Sequence, residues 1–178
     1  GAQWITIPVK KSGLETKICD IMINDNSYKK KHIKSIIQNY SKAEYFNNYI
    51  QILSQIFDCN YKYLVDLNIE LCSWIMSELK IKTKVMKAST LNLKYSNSNL
   101  LFELCKKLGA KAYLSGFGGK NYLDENIFTQ NNIKVIYQDY QHVNYKQCWD
   151  KIGFVGQLSI IDLLFNAGPI KSKEILIK

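Results

Sequence analysis

A glycine-rich loop follows a short apolar segment that ends at Leu114. Apolar residues then recur at helical spacing from Tyr122, so the order is strand, flexible turn and helix. In such a loop, backbone N–H groups can approach a phosphate or carboxylate, and the next helix adds partial positive charge. The alternative is a strand-to-helix turn whose glycines serve only the chain path. We predict that the loop binds phosphate through Ser115, Gly116, Gly118, Gly119 and Lys120.

His142 is the best candidate for a general acid or base. Histidine titrates near neutral pH, and Asp139 lies close enough in sequence to orient its ring. We therefore predict that His142 and Asp139 are catalytic. The alternative is that His142 is a hydrogen-bonded loop residue.

Two further groups of polar residues lie on predicted helices. Lys30, Lys31 and Lys34, with His32 between them, crowd the start of a helix over 25–40 and could hold a phosphate, although a solvated basic face is the alternative. Asp162 and Asn166 are four residues apart on the apolar helix 157–169. A polar stripe on a buried helix needs partners or a ligand, so we expect these two side chains to orient a substrate.

The elements that position these residues are typical of an α/β protein. A helix (99–108), a strand before the glycine loop, a helix (121–131) and a strand (133–139) follow one another, which favours a parallel sheet. Ligands bind beyond the carboxyl ends of such strands, so Tyr137 and Gln138 should lie at the edge that holds the glycine loop and help to orient a substrate.

The remaining segments are predicted to be amphipathic helices and short strands. Helices are expected over 25–40, 43–57 and 63–79, and 157–169 should end at a Gly168-Pro169 stop. Segments 5–9 and 18–23 are predicted to form a hairpin, and 83–87 a short strand. We therefore predict one domain with a predominantly parallel, Rossmann-like sheet flanked by amphipathic helices.

Composition limits the class of protein. A chain of 178 residues with 47% hydrophobic content can form one sizeable core, and its net charge of +9 favours an anionic partner. Five cysteines without a CxxC pair or a secretory leader favour a reducing cytoplasm. No apolar stretch reaches the length of a membrane helix. With two histidines a His-rich metal site is not expected, and the sequence requires no cofactor.

Five ordered stretches, which together span nearly the whole chain, resemble the WbqC-like family of bacterial proteins. The resemblance implies work on activated, often amino-substituted, sugars of O-antigen and other surface polysaccharides, and Tyr145 and Gln147 match the family pattern. The matching stretches are QWITIPVK (3–10), KKKHIKSIIQNY (29–40), LCKKLGAKAYLSGFGGKNYLDE (104–125), IKVIYQDYQH (133–142) and LSIIDLLFNAG (158–168).

The sequence departs from the family pattern at two places. Family members usually begin with a segment of the form HQPxYxPWxG, which is not present, so we expect an N-terminally incomplete domain over 1–178. Val143 and Asn144 follow His142, where the family tends to have a proline.

Together these features predict a cytoplasmic transferase of surface-polysaccharide biosynthesis. It would move an aminoacyl or related acyl group to a nucleotide-linked amino sugar, with Tyr145 among the residues that orient the substrate. Another phosphorylated small molecule is a possible ligand. The alternatives are a basic module that binds RNA, against which the scattered lysines argue, and a non-catalytic scaffold of a polysaccharide assembly complex.

Overall fold

The helices predicted from apolar periodicity are present in the structure, a computed structural model that describes residues 2–177. The chain divides into two compact units. The first unit contains the residues up to Thr83 and those from His142 onward, and the second unit is Lys84–Gln141. The single-domain assignment stays a prediction. In chain order the helices and strands are α1 (Ser27–Tyr40), α2 (Phe46–Asp58), α3 (Leu64–Glu78), α4 (Asn97–Lys107), β1 (Ala112–Ser115), α5 (Glu125–Thr129), β2 (Lys134–Tyr137) and α6 (Ile160–Leu176).

The apolar faces of α1, α2, α3 and α6 form the core of the first unit. Leu53, Leu67 and Leu164 are fully buried there, one each from α2, α3 and α6. Phe165 of α6 is also fully buried, and its ring stacks on that of Tyr40 from α1 with 5.1 Å between centroids. Each large apolar side chain buried in this way contributes about 1.5–3 kcal/mol. This packing fixes the start of α6 against the end of α1.

A kink interrupts α6 at the predicted Gly168-Pro169 stop. Gly168 has φ 71° and ψ 176°, a conformation that residues with a Cβ rarely adopt, and Pro169 cannot donate an N–H to the preceding turn. Helical structure resumes afterwards and continues to Leu176. The prediction of a stop is therefore right for the break, although the helix extends further than the sequence indicated.

The predicted hairpin at the N-terminus is reduced to isolated pairing. Val9 forms an antiparallel bridge with Ile23, and the N–H of Asn24 donates to the carbonyl of Pro8 at 2.9 Å. The prediction of a strand over 18–23 is wrong for its first half, because Ile18–Asp20 form a single 3-10 turn. Local turn hydrogen bonds replace the ladder there.

The prediction of a strand at 83–87 is also wrong. The structure places the segment in no helix and pairs it with no strand of residues 2–177. Val85 and Met86 are 65% and 44% exposed. A strand needs a neighbour for its backbone groups, and apolar alternation alone does not supply one.

The second unit contains the helix–strand–helix–strand order predicted for it. β1 and β2 pair in parallel, with the register running from Ala112↔Lys134 to Ser115↔Tyr137. Phe128 of α5 is fully buried under this sheet, and its ring stacks on that of Tyr113 with 5.4 Å between centroids. The parallel pairing is confirmed. Within residues 2–177 the parallel sheet has two strands, so the wider Rossmann-like sheet is not seen in the structure.

Across the described residues the structure contains no helix that is both long enough and apolar enough to cross a lipid bilayer.

Candidate functional site

The first turn of α6 places a carboxylate in the interior of the first unit. The Ser159 hydroxyl caps the helix by accepting from the N–H of Ile161 at 3.4 Å. Asp162 follows within the same turn, and only 3% of its surface is exposed. The partial positive charge at a helix N-terminus favours a carboxylate at this position.

Three neutral donors surround the Asp162 carboxylate. Its Oδ2 accepts from the Tyr145 hydroxyl at 2.7 Å and from Gln147 Nε2 at 2.8 Å. The Tyr40 hydroxyl is also hydrogen-bonded to the carboxylate, and burial together with the negative charge of Asp162 raises the pKa of Tyr40 far above its usual value. Tyr40 therefore keeps its proton and acts as a donor. Among residues 2–177 no lysine forms an ion pair with Asp162.

The amide of Gln147 is fixed in one orientation by the backbone of Val155. Its Oε1 accepts from the Val155 N–H at 2.9 Å, and its Nε2 donates to the Val155 carbonyl at 2.9 Å. Because the amide oxygen is engaged in this way, the NH₂ group is the part that faces Asp162. Gln147 is only 8% exposed, so this orientation holds a buried donor against the carboxylate.

Asn166, one turn after Asp162, ties α6 to the preceding loop. Its Nδ2 donates to the Asp162 carbonyl at 2.8 Å, and its Oδ1 accepts from the Cys148 N–H at 2.8 Å. Burial, and then the charge of Asp162, raise the pKa of the Cys148 thiol. The thiol remains protonated at neutral pH and is a poor nucleophile.

A cavity of about 420 Å³ opens above this carboxylate. Its volume is in the range of pockets that hold small molecules. Among residues 2–177, Asp162 is the one charged side chain of the lining. Trp149 lines it as well, held by a 2.6 Å hydrogen bond from its Nε1 to the carbonyl of Asn39. The other lining residues are mostly amides, hydroxyls and apolar side chains: Ala2, Gln3, Trp4, Ile5, Ser35, Ile36, Asn39, Tyr40, Gln147, Ile152, Val155, Gln157, Leu158, Ser159 and Ile161.

Aromatic rings, amides and one carboxylate together suit a polar organic ligand. Carboxylate and amide groups can hydrogen-bond hydroxyls or amines, while tryptophan rings cover apolar or cationic faces. The site suits a metal ion less well, because the groups nearest to the carboxylate are hydrogen-bond donors whose protons point at the carboxylate. Within the described part of the chain no three His, Cys, Asp or Glu residues cluster in a way that could hold a metal.

Three of the predicted substrate-orienting residues come together in this site: Asp162, Asn166 and Tyr145. The sequence interpretation missed Tyr40, Asn39 and Trp149 as part of it. Tyr40 lies on the apolar face of α1, where helical periodicity indicates only a core residue, yet its hydroxyl reaches Asp162. Gln147 could be found from the sequence, because it matches the family pattern.

The structure places the predicted catalytic pair in different compact units, with Asp139 in the second and His142 in the first. Both side chains are exposed. Asp139 Oδ1 accepts from the amide of Gln141 at 3.0 Å. The catalytic roles of His142 and Asp139 therefore stay predictions.

The glycine loop is more tightly structured than predicted. Residues Phe117–Asn121 form a 3-10 helix, and α5 begins only at Glu125, so the prediction of a helix starting at 121 is wrong. Asp124 caps α5 by accepting from the N–H of Asn126 at 3.1 Å, which puts a carboxylate where a phosphate was expected to benefit from the helix dipole. Gly119 is buried against Ser115, and a Cβ there would collide with the Ser115 hydroxyl.

Several other residues of the predicted loop site contact neighbouring side chains or backbone groups. Lys120 Nζ lies 5.3 Å from the ring centroids of both Phe117 and Tyr137. The Tyr137 hydroxyl donates to Glu125 at 2.7 Å, and this hydrogen bond raises the pKa of Tyr137 to about 12. Gln138 donates its N–H to the Ser115 carbonyl at 2.8 Å. Gly116 and Gly118 have open space around them.

The basic cluster of α1 is divided between surface and core. Lys30, Lys31 and Lys34 are exposed, as expected of either a solvated face or an anion site. The prediction that His32 joins them is wrong, since His32 is 5% exposed and its Nε2 lies 3.2 Å from the carbonyl of Thr6. Its position in the helix turns it towards the buried face.

Comparisons with known proteins agree with the resemblance noted in the sequence. The model of the WbqC-like protein family matches residues 1–174. An uncharacterised protein of Mycobacterium tuberculosis, Rv1507c, is 34% identical over 171 residues, which cover 94% of this chain and 73% of that protein. No solved structure matches the chain. The chain belongs to the WbqC-like protein family.

Proposed function

We propose that this protein is a transferase of surface-polysaccharide biosynthesis that moves an aminoacyl or related acyl group to a nucleotide-linked amino sugar. One observation carries the proposal: the buried Asp162 carboxylate lines a cavity of about 420 Å³, where its partners are neutral groups. The volume suits one sugar unit, and the mixture of amides, hydroxyls and tryptophans suits its hydroxyl groups and ring faces. The family resemblance supports the same class of ligand.

In this reaction the amine nitrogen of the sugar attacks the acyl carbon of an activated donor. A C–N bond forms, the bond between the acyl carbon and its leaving group breaks, and the nitrogen loses a proton to a base. Asp162 would hold the acceptor in place, with Tyr40, Tyr145 and Gln147 keeping the carboxylate in position. His142 remains the proposed base, with Asp139 as its proposed orienting partner.

The test is an acyl-transfer assay with a matched pair of variants. The chain is incubated with UDP-glucosamine and either acyl thioesters or aminoacyl-tRNA, and the acylated nucleotide-sugar is detected by mass spectrometry. Asp162→Asn should abolish the product, because the neutral amide cannot hold the acceptor as the carboxylate does. Asp58→Asn removes an exposed carboxylate of the same unit, outside the cavity, and should leave the product unchanged.

The outcome that contradicts the proposal is equally specific. No acylated sugar with any donor, together with RNA binding that collapses between low and moderate salt, would place the protein with basic binding modules. The exposed lysines of α1 would then be the first residues to replace: Lys30, Lys31 and Lys34.

The role of the base is tested separately. His142→Ala should lower the acyl-transfer rate by about a hundredfold or more if His142 accepts the proton. Asp139→Asn should give a smaller loss if it orients the ring. Near-normal turnover of His142→Ala would remove this residue from the mechanism without affecting the assignment of the cavity.

A further inference from the structure

Among residues 2–177 the Asp162 carboxylate has hydrogen-bond partners but no counter-charge. Its described partners are two tyrosine hydroxyls and one amide, and all of them are neutral. Hydrogen bonds offset part of the cost of burying a carboxylate, but its charge remains. A cation that enters the cavity would therefore meet a negative charge already desolvated and fixed in place.

A lysine beside the cavity lining contacts an aromatic ring of that lining. Lys42 Nζ lies 5.4 Å from the ring centroid of Trp149, a residue of the lining. Among residues 2–177 neither Lys42 nor another lysine pairs with Asp162. Trp149 thus already accepts a cation at its ring, while the carboxylate is left for a ligand.

The directions of the hydrogen bonds favour an organic cation over a metal ion. A metal needs several oxygen lone pairs directed at one point. In this site Gln147 turns its NH₂ group to Asp162 and its oxygen to the Val155 N–H, and Tyr40 and Tyr145 donate their protons to the same carboxylate. An ammonium group needs only one carboxylate and a few hydrogen-bond acceptors beside it.

We infer that the cavity recognises a primary ammonium group on a sugar-sized ligand through an ion pair with Asp162, and that it thereby discriminates the free amine from its N-acylated form. The inference deepens the proposed function and rests on it where the amine is taken to be the acceptor. The bound ammonium must lose one proton before its nitrogen can attack and a second as the amide forms, so the neutral product no longer pairs with Asp162. The product should consequently bind more weakly than the acceptor.

Calorimetric titration of the whole chain with three monosaccharides tests this inference. Glucosamine, glucose and N-acetylglucosamine differ at a single position in charge and size. Glucosamine should bind roughly tenfold more tightly or better than the other two, the range expected for a desolvated charge pair. Asp162→Asn should remove this preference, and Asp58→Asn should keep it.

A second measurement needs no variant. The affinity of the unaltered chain for glucosamine should fall as the pH rises through the titration of the sugar amine, while its affinity for glucose should not follow that curve. Equal binding of glucosamine and glucose, no measurable binding of glucosamine, or a preference that survives in Asp162→Asn would each overturn the inference.

The two proposals fail in different ways. Charge-dependent binding of glucosamine without acyl transfer to any amino sugar would leave the inference standing and remove the transferase. Acyl transfer by a chain that binds glucosamine and glucose equally would retain the transferase and place the recognition of the amine outside the Asp162 cavity.

Discussion

The hydroxyl of Tyr145 lies 2.7 Å from Oδ2 of Asp162 and donates a hydrogen bond to it. The ring of Tyr145 packs edge-on against Phe154, with 5.2 Å between centroids. The same side chain thus contacts both the apolar surroundings and the buried carboxylate. Its hydroxyl can be removed with the ring contact left in place.

Tyr145→Phe is expected to lower the free energy of unfolding. Loss of a hydrogen bond to a charged group costs about 1.5–3 kcal/mol, since the carboxylate keeps its desolvation but loses a donor. Urea unfolding measures the difference. Tyr122→Phe is the control, because Tyr122 is 67% exposed. Equal unfolding midpoints for the two variants would mean that the hydroxyl of Tyr145 does not stabilise the carboxylate.

The site was predictable where its signal was local. Asp162 and Asn166 stand out as polar residues four apart on an apolar helix, and the structure confirms that both are held by specific partners. Tyr40 could not be found in this way. It occupies an apolar position of α1, and its contact with Asp162 depends on how α1 packs on α6, which periodicity does not encode.

The fold, like the site, was predictable where it depends on local sequence patterns and not where it depends on tertiary contacts. Helices with clear apolar stripes are confirmed near their predicted boundaries, and the parallel pairing of β1 with β2 follows from the order of elements. The width of the sheet was not predictable, because it depends on whether distant extended segments pair. Segment 83–87 has a strand-like composition and yet no pairing partner among residues 2–177.

Gly168→Ala is expected to be strongly destabilising. Gly168 has φ 71°, and a Cβ there would lie 2.6 Å from ring atoms of Tyr45. Backbone strain of this type costs about 1–3 kcal/mol, and the steric overlap adds about the same again. Thermal and urea unfolding measure the loss. Gly13→Ala, where nothing lies within 4 Å, is the control and should change little.

A second substitution separates the backbone strain at Gly168 from the steric overlap with Tyr45. Tyr45→Ala combined with Gly168→Ala removes the overlap but not the strain, so the double variant should recover part of the loss attributed to Gly168→Ala. If the loss of unfolding free energy in the double variant equals the sum of the losses in the two single variants, the Tyr45 ring and the kink at Gly168 are not coupled.

His32 should make stability depend on pH below neutrality. Burial lowers its pKa from the ordinary value of 6.5, and its Nδ1 has no hydrogen-bond partner among residues 2–177. As the pH falls below 6.5, the unfolded chain binds a proton that the folded chain does not, so stability falls by up to about 1.4 kcal/mol per pH unit. The loss ends once the pH reaches the lowered pKa of the folded state.

Urea unfolding between pH 5 and 8 measures this dependence. His32→Leu should have a flatter profile below pH 6.5 than the unaltered chain, because the buried imidazole is gone. His142→Gln replaces an exposed histidine and leaves His32 in place, so its profile should keep the slope. Parallel profiles for the unaltered chain and His32→Leu would contradict the assignment.

Two glycines of the loop after β1 distinguish a structural turn from a phosphate site. A Cβ at Gly119 would collide with the Ser115 hydroxyl and lie 3.2 Å from Ser115 Cβ, whereas nothing lies within 4 Å at Gly118. Gly119→Ala should therefore cost about 1–3 kcal/mol in unfolding free energy. Gly118→Ala should stay within about 0.5 kcal/mol, as do substitutions that meet no neighbour.

If the loop binds phosphate through its backbone, however, Gly118→Ala should weaken nucleotide binding, because its methyl group stands where the ligand approaches. Calorimetric titration with UDP measures this effect, and Gly13→Ala is the matched control. Nucleotide affinity that is unchanged in Gly118→Ala would leave the glycines of this loop with a structural role, since the only cost would then be the packing of Gly119 on Ser115.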